Sequence, residues 1–247
     1  MRCHFIFGAL LLFFTTTAFG VRDDNPSSDA DTVVTRMLAQ DVQRQMLVDG
    51  YRGMRRYVLQ NDRMQKHAEM LVQVECAADG IKHFTVVNEE GWKTAQKHVL
   101  HKMLESEAEA SHPQMRIKTR LSPENYEFRR VNKELLDGRV AYAIDILPRR
   151  REERLFEGRI WIDAEDFALV RAEGKPARNP SFWTKSVHFV HTYRKSGPFW
   201  FPTSTDSVTE VRIFGSTSLT INYFDYTPNP LHMHVTASAA VRRSSTQ

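Results

Sequence analysis

Residues 125–147, NYEFRRVNKELLDGRVAYAIDIL, decide the fold class of this chain. At their centre is Asp137-Gly138, a dipeptide typical of the two-residue turn of a β-hairpin, because both residue types tolerate a positive φ. After the turn, large apolar residues alternate with small or polar ones from Arg139 to Ile146. That alternation predicts a half-buried strand with one face in a core.

Strand-like segments extend outward from this hairpin over most of the chain. They lie at residues 51–60, 66–76, 81–88, 125–134, 139–147, 155–163, 167–174, 184–195, 199–213 and 216–226. Short connections make successive strands antiparallel, because a parallel pair needs a long crossover. A sheet of about ten strands must curl or close to protect its edges. We therefore expect a mainly β (α+β) protein built on a single, strongly curved antiparallel sheet.

Two segments have the periodicity of amphipathic helices and are expected to lie against the concave face of that sheet. In residues 31–49, apolar residues recur at three- and four-residue spacing behind a potential cap, Asp31. In residues 91–110, four apolar residues share one helical face: Trp92, Ala95, Val99 and Met103. Pro113 follows and ends the region.

The first twenty residues have the features of a cleaved secretory signal peptide. Arg2 is followed by an apolar run at residues 5–14, and small residues stand before a cleavage point after Gly20. The apolar run is too short to cross a bilayer of roughly 30 Å as a helix. We therefore predict a protein that is exported by a bacterial-type secretory route and has four parts: a signal peptide (1–20), a flexible leader (21–30), one β domain (31–230) and a C-terminal tail (231–247).

The charge balance argues against a nucleic-acid partner. The chain carries 34 basic and 30 acidic residues, whereas nucleic-acid-binding proteins concentrate a strong basic patch on one face. The run Arg149-Arg150-Arg151 is followed at once by acidic Glu152-Glu153, which indicates a charged hairpin tip.

The histidine pairs of the chain do not form a convincing metal site. His98 and His101 have a helical spacing that can bind a metal, but no third ligand accompanies them. His188 lies three residues before His191 in a strand, so that their side chains point to opposite faces. His232 and His234 share a face but lie in the terminal stretch. We predict no metal site and no cofactor.

The sequence carries no recognisable catalytic motif. Cys76 ends an apolar strand beside two alanines, which is typical of a buried structural cysteine rather than an activated nucleophile. There is no G-x-S-x-G elbow, no H-E-x-x-H motif and no glycine-rich phosphate loop. The paired acids Glu89-Glu90 and Glu165-Asp166 fall at turns. We therefore predict that the protein is not an enzyme.

The inside of the sheet permits two interpretations. Two helices with narrow apolar stripes can leave the concavity of a ten-strand sheet underfilled, and an underfilled apolar concavity is a ligand pocket. Equally, the side chains can fill the inside as a packed core, as they do in small barrels. The sequence pattern alone does not choose between them.

Three segments near the C-terminus resemble one family in order. Residues 158–170 (GRIWIDAEDFALV), 199–202 (FWFP) and 218–226 (SLTINYFDY) are similar to the strand-turn-strand, tryptophan-proline and closing-strand segments of LolA-like outer membrane lipoprotein-sorting proteins. The resemblance covers residues 155–227. It implies a half-open antiparallel β-barrel, helices that form a lid over an apolar cavity, and binding of acyl chains in the periplasm.

The resemblance also suggests where a ligand would bind and what the protein would do. Candidate cavity residues are Val72, Val74, Phe84, Val86, Tyr142, Ile144, Ile160, Ile162 and Phe189. The first hypothesis is a binding or carrier protein for lipids or lipoprotein acyl chains, with a role in lipoprotein sorting. The second is a sensor or protein-interaction module with a membrane-bound protein partner. The family's lid-latching arginine corresponds to Arg52, Arg55 or Arg56, and the sequence does not decide which.

Overall fold

The computed structural model describes residues 26–182, 184–212 and 215–230 of the chain. The helices are α1 (Pro26–Gln45), α2 (Lys93–Ala95), α3 (His101–Ala110) and α4 (Pro113–Thr119), with a π-helical turn, Gln96–Leu100, joining α2 to α3. The strands are β1 (Val48–Asn61), β2 (Lys66–Cys76), β3 (Lys82–Gly91), β4 (Tyr126–Leu136), β5 (Arg139–Pro148), β6 (Phe156–Asp163), β7 (Leu169–Pro176), β8 (Thr184–Ser196), β9 (Phe199–Val211) and β10 (Gly215–Pro230).

All ten strands belong to one sheet, in which each strand is antiparallel to its neighbours. The order is β3-β2-β1-β10-β9-β8-β7-β6-β5-β4, so β3 and β4 form the two edges. The sheet does not close on itself. The predicted half-open, mainly β architecture of about ten strands is confirmed.

The Asp137-Gly138 turn forms as predicted. Both residues have positive φ, 49° and 80° respectively, which matches the twist of the flanking strands in a two-residue hairpin. The turn sets the β4–β5 register, with Leu136 opposite Arg139 and Phe128 opposite Ile146. It thereby fixes which side chains of β5 enter the concave face.

The helical segment between β3 and β4 runs from one edge strand to the other. Because these strands lie at opposite ends of the sheet order, the connection has to span the concavity. Within the connection, helix α3 contacts β3. The expected placement of helices as a lid on the concave face is confirmed in this respect. The sheet and this connection enclose the space described below.

One half of the concave face is covered by α1. Ala30, Val34 and Met37 are fully buried against strands β4–β7. Full burial of a side chain of the size of valine or methionine stabilises the fold by about 1.5–3 kcal/mol. Across the β5–β6 pair, Ile144 faces Ile160 and supplies the floor of this cluster.

The other half is covered by α2, the π-helical turn and α3. Leu100 and Leu104 pack on Tyr57, Met70 and Leu219 from β1, β2 and β10. Ala95, predicted to lie on the apolar stripe, is buried as expected, whereas Val99 is 39% exposed. The reason is the π-helical turn, which inserts an extra residue and rotates the following side chains relative to a regular helix.

The helix boundaries differ from the predicted ones. α1 begins at Pro26 and ends at Gln45, so that it takes up five residues predicted as leader and stops before the predicted end at residue 49. Proline is favoured in a first helical turn, where its missing N–H needs no partner. Pro113 likewise starts the short helix α4 instead of ending the helical region.

Parts of the predicted domain organisation lie outside the described residues. These are the signal peptide (1–20), the first half of the leader (21–25), and the tail with His232 and His234. Among the helices that the structure describes, none combines the length and the apolarity needed to cross a membrane.

Candidate functional site

A buried arginine on the concave face of β1 holds the lid. Arg55 is 1% exposed, and its guanidinium makes a two-pronged ion pair with Glu107 on α3, with Nη1–Oε2 and Nη2–Oε1 distances of 2.7 and 3.2 Å. Such fork-like pairs fix geometry as well as charge. Neighbouring Arg56 points to the outer face and pairs with Glu69. Of the three arginines that the sequence left open, Arg55 is the one joined to a lid helix.

Aromatic side chains complete the environment of this arginine. The guanidinium donates hydrogen bonds to the hydroxyl groups of Tyr226 (3.0 Å) and Tyr57 (3.4 Å). It also stands over the rings of Tyr223 and Phe84, with centroid distances of 4.9 and 5.3 Å. These contacts are attractive cation–π interactions. Arg55 therefore ties together strands β1, β3 and β10 and helix α3.

Glu107 receives a second cation from the edge strand. The Lys82 Nζ lies 2.6 Å from Glu107 Oε1, and the lysine side chain is only 5% exposed. Burial raises the pKa of Glu107, but the opposing effect of Arg55 and Lys82 is stronger and holds that pKa well below its usual range. The carboxylate stays ionised and bridges two buried cations.

A cavity of about 490 Å³ lies between these helices and the middle of the sheet. A volume of this size is typical of small-molecule sites. Apolar and aromatic side chains from the lid and from β6–β8 form much of its wall: Met103, Ala110, Phe156, Ala172 and Phe189. Charged and polar side chains also line it: Lys82, Glu107, Arg116, Arg154, His191, Tyr193, Thr205 and Tyr223.

His191 brings an uncharged polar group into the wall. Its Nδ1 hydrogen-bonds the Thr205 hydroxyl, which in turn lies 2.9 Å from the Tyr223 hydroxyl. Burial lowers the pKa of His191 to about 3, so that the ring is neutral at physiological pH. Its Nε2 is buried without a hydrogen-bond partner.

The helix α4 covers the cavity with few anchors of its own. None of its side chains is buried, and Ile117 is 58% exposed. It is held chiefly by polar contacts, including Arg150 to the Lys118 carbonyl (2.9 Å) and Asn125 to the Ile117 carbonyl (2.9 Å). Segments held by few buried apolar contacts open most readily. Of the elements that form the wall, helix α4 should therefore need the least free energy to move.

The predicted cavity residues are distributed over three places. Phe189 lines the cavity. Tyr142, Ile144, Ile160 and Ile162 pack beneath α1. Val72, Phe84 and Val86 lie beneath the second helical segment, and Val74 joins Phe84 in a small adjoining cluster. The helices cover most of these side chains directly, which leaves the open space in the middle of the sheet.

Among the described histidine and cysteine residues considered in the sequence, His191 alone lines the cavity. His98 is exposed, and His101 pairs with Glu89 at 2.5 Å. His188 faces outward. Cys76 is buried beside Tyr51 and Val74. Among the described residues, no group of three or more histidines, cysteines and acids is placed to hold a metal ion.

Comparison with known proteins gives one family match. Residues 122–229 match the model of DUF5686, a family of unknown function. The match includes the segment 155–227, on which the resemblance to LolA-like proteins rests. No curated protein sequence matches the chain.

Three solved structures of low sequence identity align with most of this chain. A putative outer membrane lipoprotein-sorting protein domain from Vibrio parahaemolyticus is 10% identical, with a TM-score of 0.44 over 82% of this chain and 93% of that one. A DUF1329 family protein from Desulfovibrio piger is 10% identical, with a TM-score of 0.42 over 83% and 93%. A LolA superfamily protein from Nitrosomonas europaea is 10% identical, with a TM-score of 0.37 over 80% and 94%.

Proposed function

We propose that this protein binds the apolar chain of a lipid or lipoprotein in the cavity beneath its lid, and that it carries or presents that chain in the periplasm. The observation that carries the proposal is the cavity itself. It has the size of a ligand site and a wall rich in apolar side chains, and it lies between the sheet and helices that an ion-pair cluster joins to it. The resemblance of residues 155–227 to LolA-like proteins supports the same class of ligand.

The energetics favour an acyl chain as the occupant. Each methylene group transferred from water to an apolar environment contributes about 0.8 kcal/mol. The apolar part of the wall comes from opposite sides, with Met103 on the lid and Phe156, Ala172 and Phe189 on the sheet. A flexible chain inserted between them loses contact with water on both sides.

The lid gives the cavity a way to open. Arg55, Lys82 and Glu107 connect the middle of α3 to β1 and β3 by charge, whereas the buried apolar contacts of this segment come from Leu100 and Leu104 before it. A ligand that displaces α4 would leave the core contacts of Leu100 and Leu104 in place. Uptake is therefore coupled to movement of the lid's C-terminal part.

Fluorescent probe binding tests the proposal directly. The probe is 12-(1-pyrenyl)dodecanol, a neutral molecule with a long apolar chain. We expect Phe189→Asp to abolish its binding, because the new carboxylate would stand in the cavity wall. His188→Asp places the same charge on the outer face of the same strand and should leave binding unchanged. Equal binding by both folded variants would rule out this cavity as the site.

A protein-interaction role is the second candidate. Leu135 and Val140 face each other across the β4–β5 hairpin, and they are 75% and 47% exposed. They lie beside the unpaired edge of β4. Exposed apolar side chains next to an open strand edge are suited to pairing with another protein. Failure of the wild-type chain to take up any acyl probe would favour this role over lipid binding.

A further inference from the structure

The cavity wall carries more positive than negative side chains. Lys82, Arg116 and Arg154 line it, together with the single carboxylate Glu107. Lys82 is neutralised by Glu107 (2.6 Å), and Arg154 reaches out to Glu109 on α3 (2.6 Å). Both of these cations have a carboxylate partner.

Arg116 differs from the other two cations. Its Nη2 donates to the backbone carbonyl of Asp79 (2.9 Å), but its Nη1 is buried and has no hydrogen-bond partner. No carboxylate among the described residues lies within ion-pair distance of it, and the Asp79 carboxylate attracts it only from further away. Burial of the guanidinium lowers the pKa of Arg116, which reflects the cost of holding a charge away from water.

A buried donor without a partner, on a side chain that is itself only partly buried, requires a physical explanation. Buried polar groups are paired in the great majority of cases, because an unpaired one keeps its full desolvation cost. A purely apolar chain in the cavity would leave the Arg116 Nη1 without a partner. A carboxylate or phosphate group would accept from it, since both match the planar donor geometry of guanidinium.

The position of Arg116 is suited to the polar end of an amphiphile. It stands on α4, the weakly anchored part of the lid, whereas the aromatic wall formed by Phe156 and Phe189 belongs to the sheet. A ligand can thus place its charged head at the movable helix and its chain against the strands. Binding of the head would also draw α4 onto the occupied cavity.

We infer that the ligand is an amphiphile with an anionic head group, a carboxylate or a phosphate, which Arg116 binds at the lid while the apolar chain lies against Phe156 and Phe189. This inference rests on the proposed function and specifies the class of ligand. It separates this protein from a carrier of neutral acylated anchors, which would offer no charge to Arg116.

The test compares two probes that differ only in the head group. These are 12-(1-pyrenyl)dodecanoic acid and 12-(1-pyrenyl)dodecanol, each titrated below the concentration at which it aggregates. We expect the acid to bind about tenfold more tightly, as a charge-assisted hydrogen bond predicts. Arg116→Gln should remove this preference, so that the acid and the alcohol bind with similar affinity, and Arg116→Lys should restore part of the difference.

A matched control and competitors complete the design. Arg56→Gln removes a cation from the outer face of the sheet, and should preserve the preference for the acid. Dodecanoate and dodecyl phosphate are then compared as competitors, and whichever is stronger identifies the head group.

The outcomes distinguish a failure of the proposed function from a failure of the inference about the head group. Binding of neither probe to the wild-type chain would overturn the proposed function. Equal affinity for acid and alcohol would overturn the anionic-ligand inference alone. A preference for the acid that survives Arg116→Gln would overturn the assignment of the head group to Arg116.

Discussion

Replacing Glu107 with glutamine tests the lid latch most sharply. The substitution keeps the shape of the side chain and removes the charge that pairs with Arg55 and Lys82. The side chains of these two cations are 2% and 5% exposed. Glu107→Gln therefore leaves two buried positive charges without a carboxylate.

The expected loss follows from the burial of the three groups. Removing one partner of a buried pair typically costs about 3–5 kcal/mol. Because the Glu107 side chain is 32% exposed toward the cavity, solvent screens part of the effect, and the lower end of about 3 kcal/mol applies. For a domain of this size that loss lowers the melting temperature by about 6–12 °C.

The assay is thermal and urea unfolding with a control on the same helix. Glu105 is exposed on α3 and makes no ion pair among the described residues, so Glu105→Gln should change the unfolding free energy by less than about 0.5 kcal/mol. Hydrogen exchange of residues 101–119 should accelerate in Glu107→Gln alone. Equal stability and equal exchange in the two variants would refute the latch.

The pH dependence supplies an independent check on the same carboxylate. The folded-state pKa of Glu107 is depressed from its ordinary 4.5. Its stabilising contribution is therefore complete above about pH 4.5 and is lost as the pH falls toward the folded-state value. We expect the stability difference between the wild type and Glu107→Gln to narrow below pH 4.5. A difference that is constant with pH would show that the charge is not its source.

Three further predictions concern the scaffold. Burial raises the pKa of Asp41 to about 7 despite its 2.6 Å ion pair with Arg44. The free energy of unfolding of the wild type should therefore fall as the pH rises from about 4 to 7, and that of Asp41→Asn should fall less over the same range. Ile144→Ala empties a fully buried site beneath α1, and denaturant unfolding should show a loss of about 2–5 kcal/mol. Gly158→Ala should lower the melting temperature, because the added Cβ would meet the Glu173 backbone carbonyl where β6 and β7 approach closely. For each of the three residues, a variant that unfolds as the wild type does would contradict the role assigned to that residue.

The strands were predictable because their signals are local. The Asp137-Gly138 turn and the alternation after it fix β4 and β5 without reference to the rest of the chain, and the structure differs from the prediction there by only one or two residues at the ends. The two helical regions lie where the sequence predicts them, but their first and last residues differ from the predicted ones. The sequence pattern puts Pro26 in the leader and ends the second helical region at Pro113, whereas both prolines occupy first helical positions.

The latch was only partly visible in the sequence. Arg55 shares a strand face with apolar Tyr57 and Leu59, and Glu107 follows Leu100 and Leu104 at helical spacing. A basic residue on an otherwise apolar strand face and an acidic residue on an otherwise apolar helix face indicate that the two side chains form an ion pair. Identifying the pair required the topology, because 52 residues separate Arg55 from Glu107 and several other acids lie on the same helices.

The position of the cavity could not be read from side-chain patterns. Inward-facing apolar residues of β2, β5 and β6 look alike in sequence whether a helix covers them or a ligand does. The structure places helices directly over Ile144, Ile160 and Val72 and leaves the space in front of Phe189 open. Arg116 lies on α4, a helix that the sequence did not predict, so the role proposed for it could be argued only from the fold.

Native mass spectrometry of the chain, isolated from a bacterial periplasm without detergent, tests the central claim most directly. The account predicts a near-stoichiometric adduct whose extract contains acyl chains with an anionic head group. The adduct should be absent from Phe189→Asp and retained by His188→Asp. A wild-type chain that carries no acyl ligand, and takes up none when offered, would contradict the account.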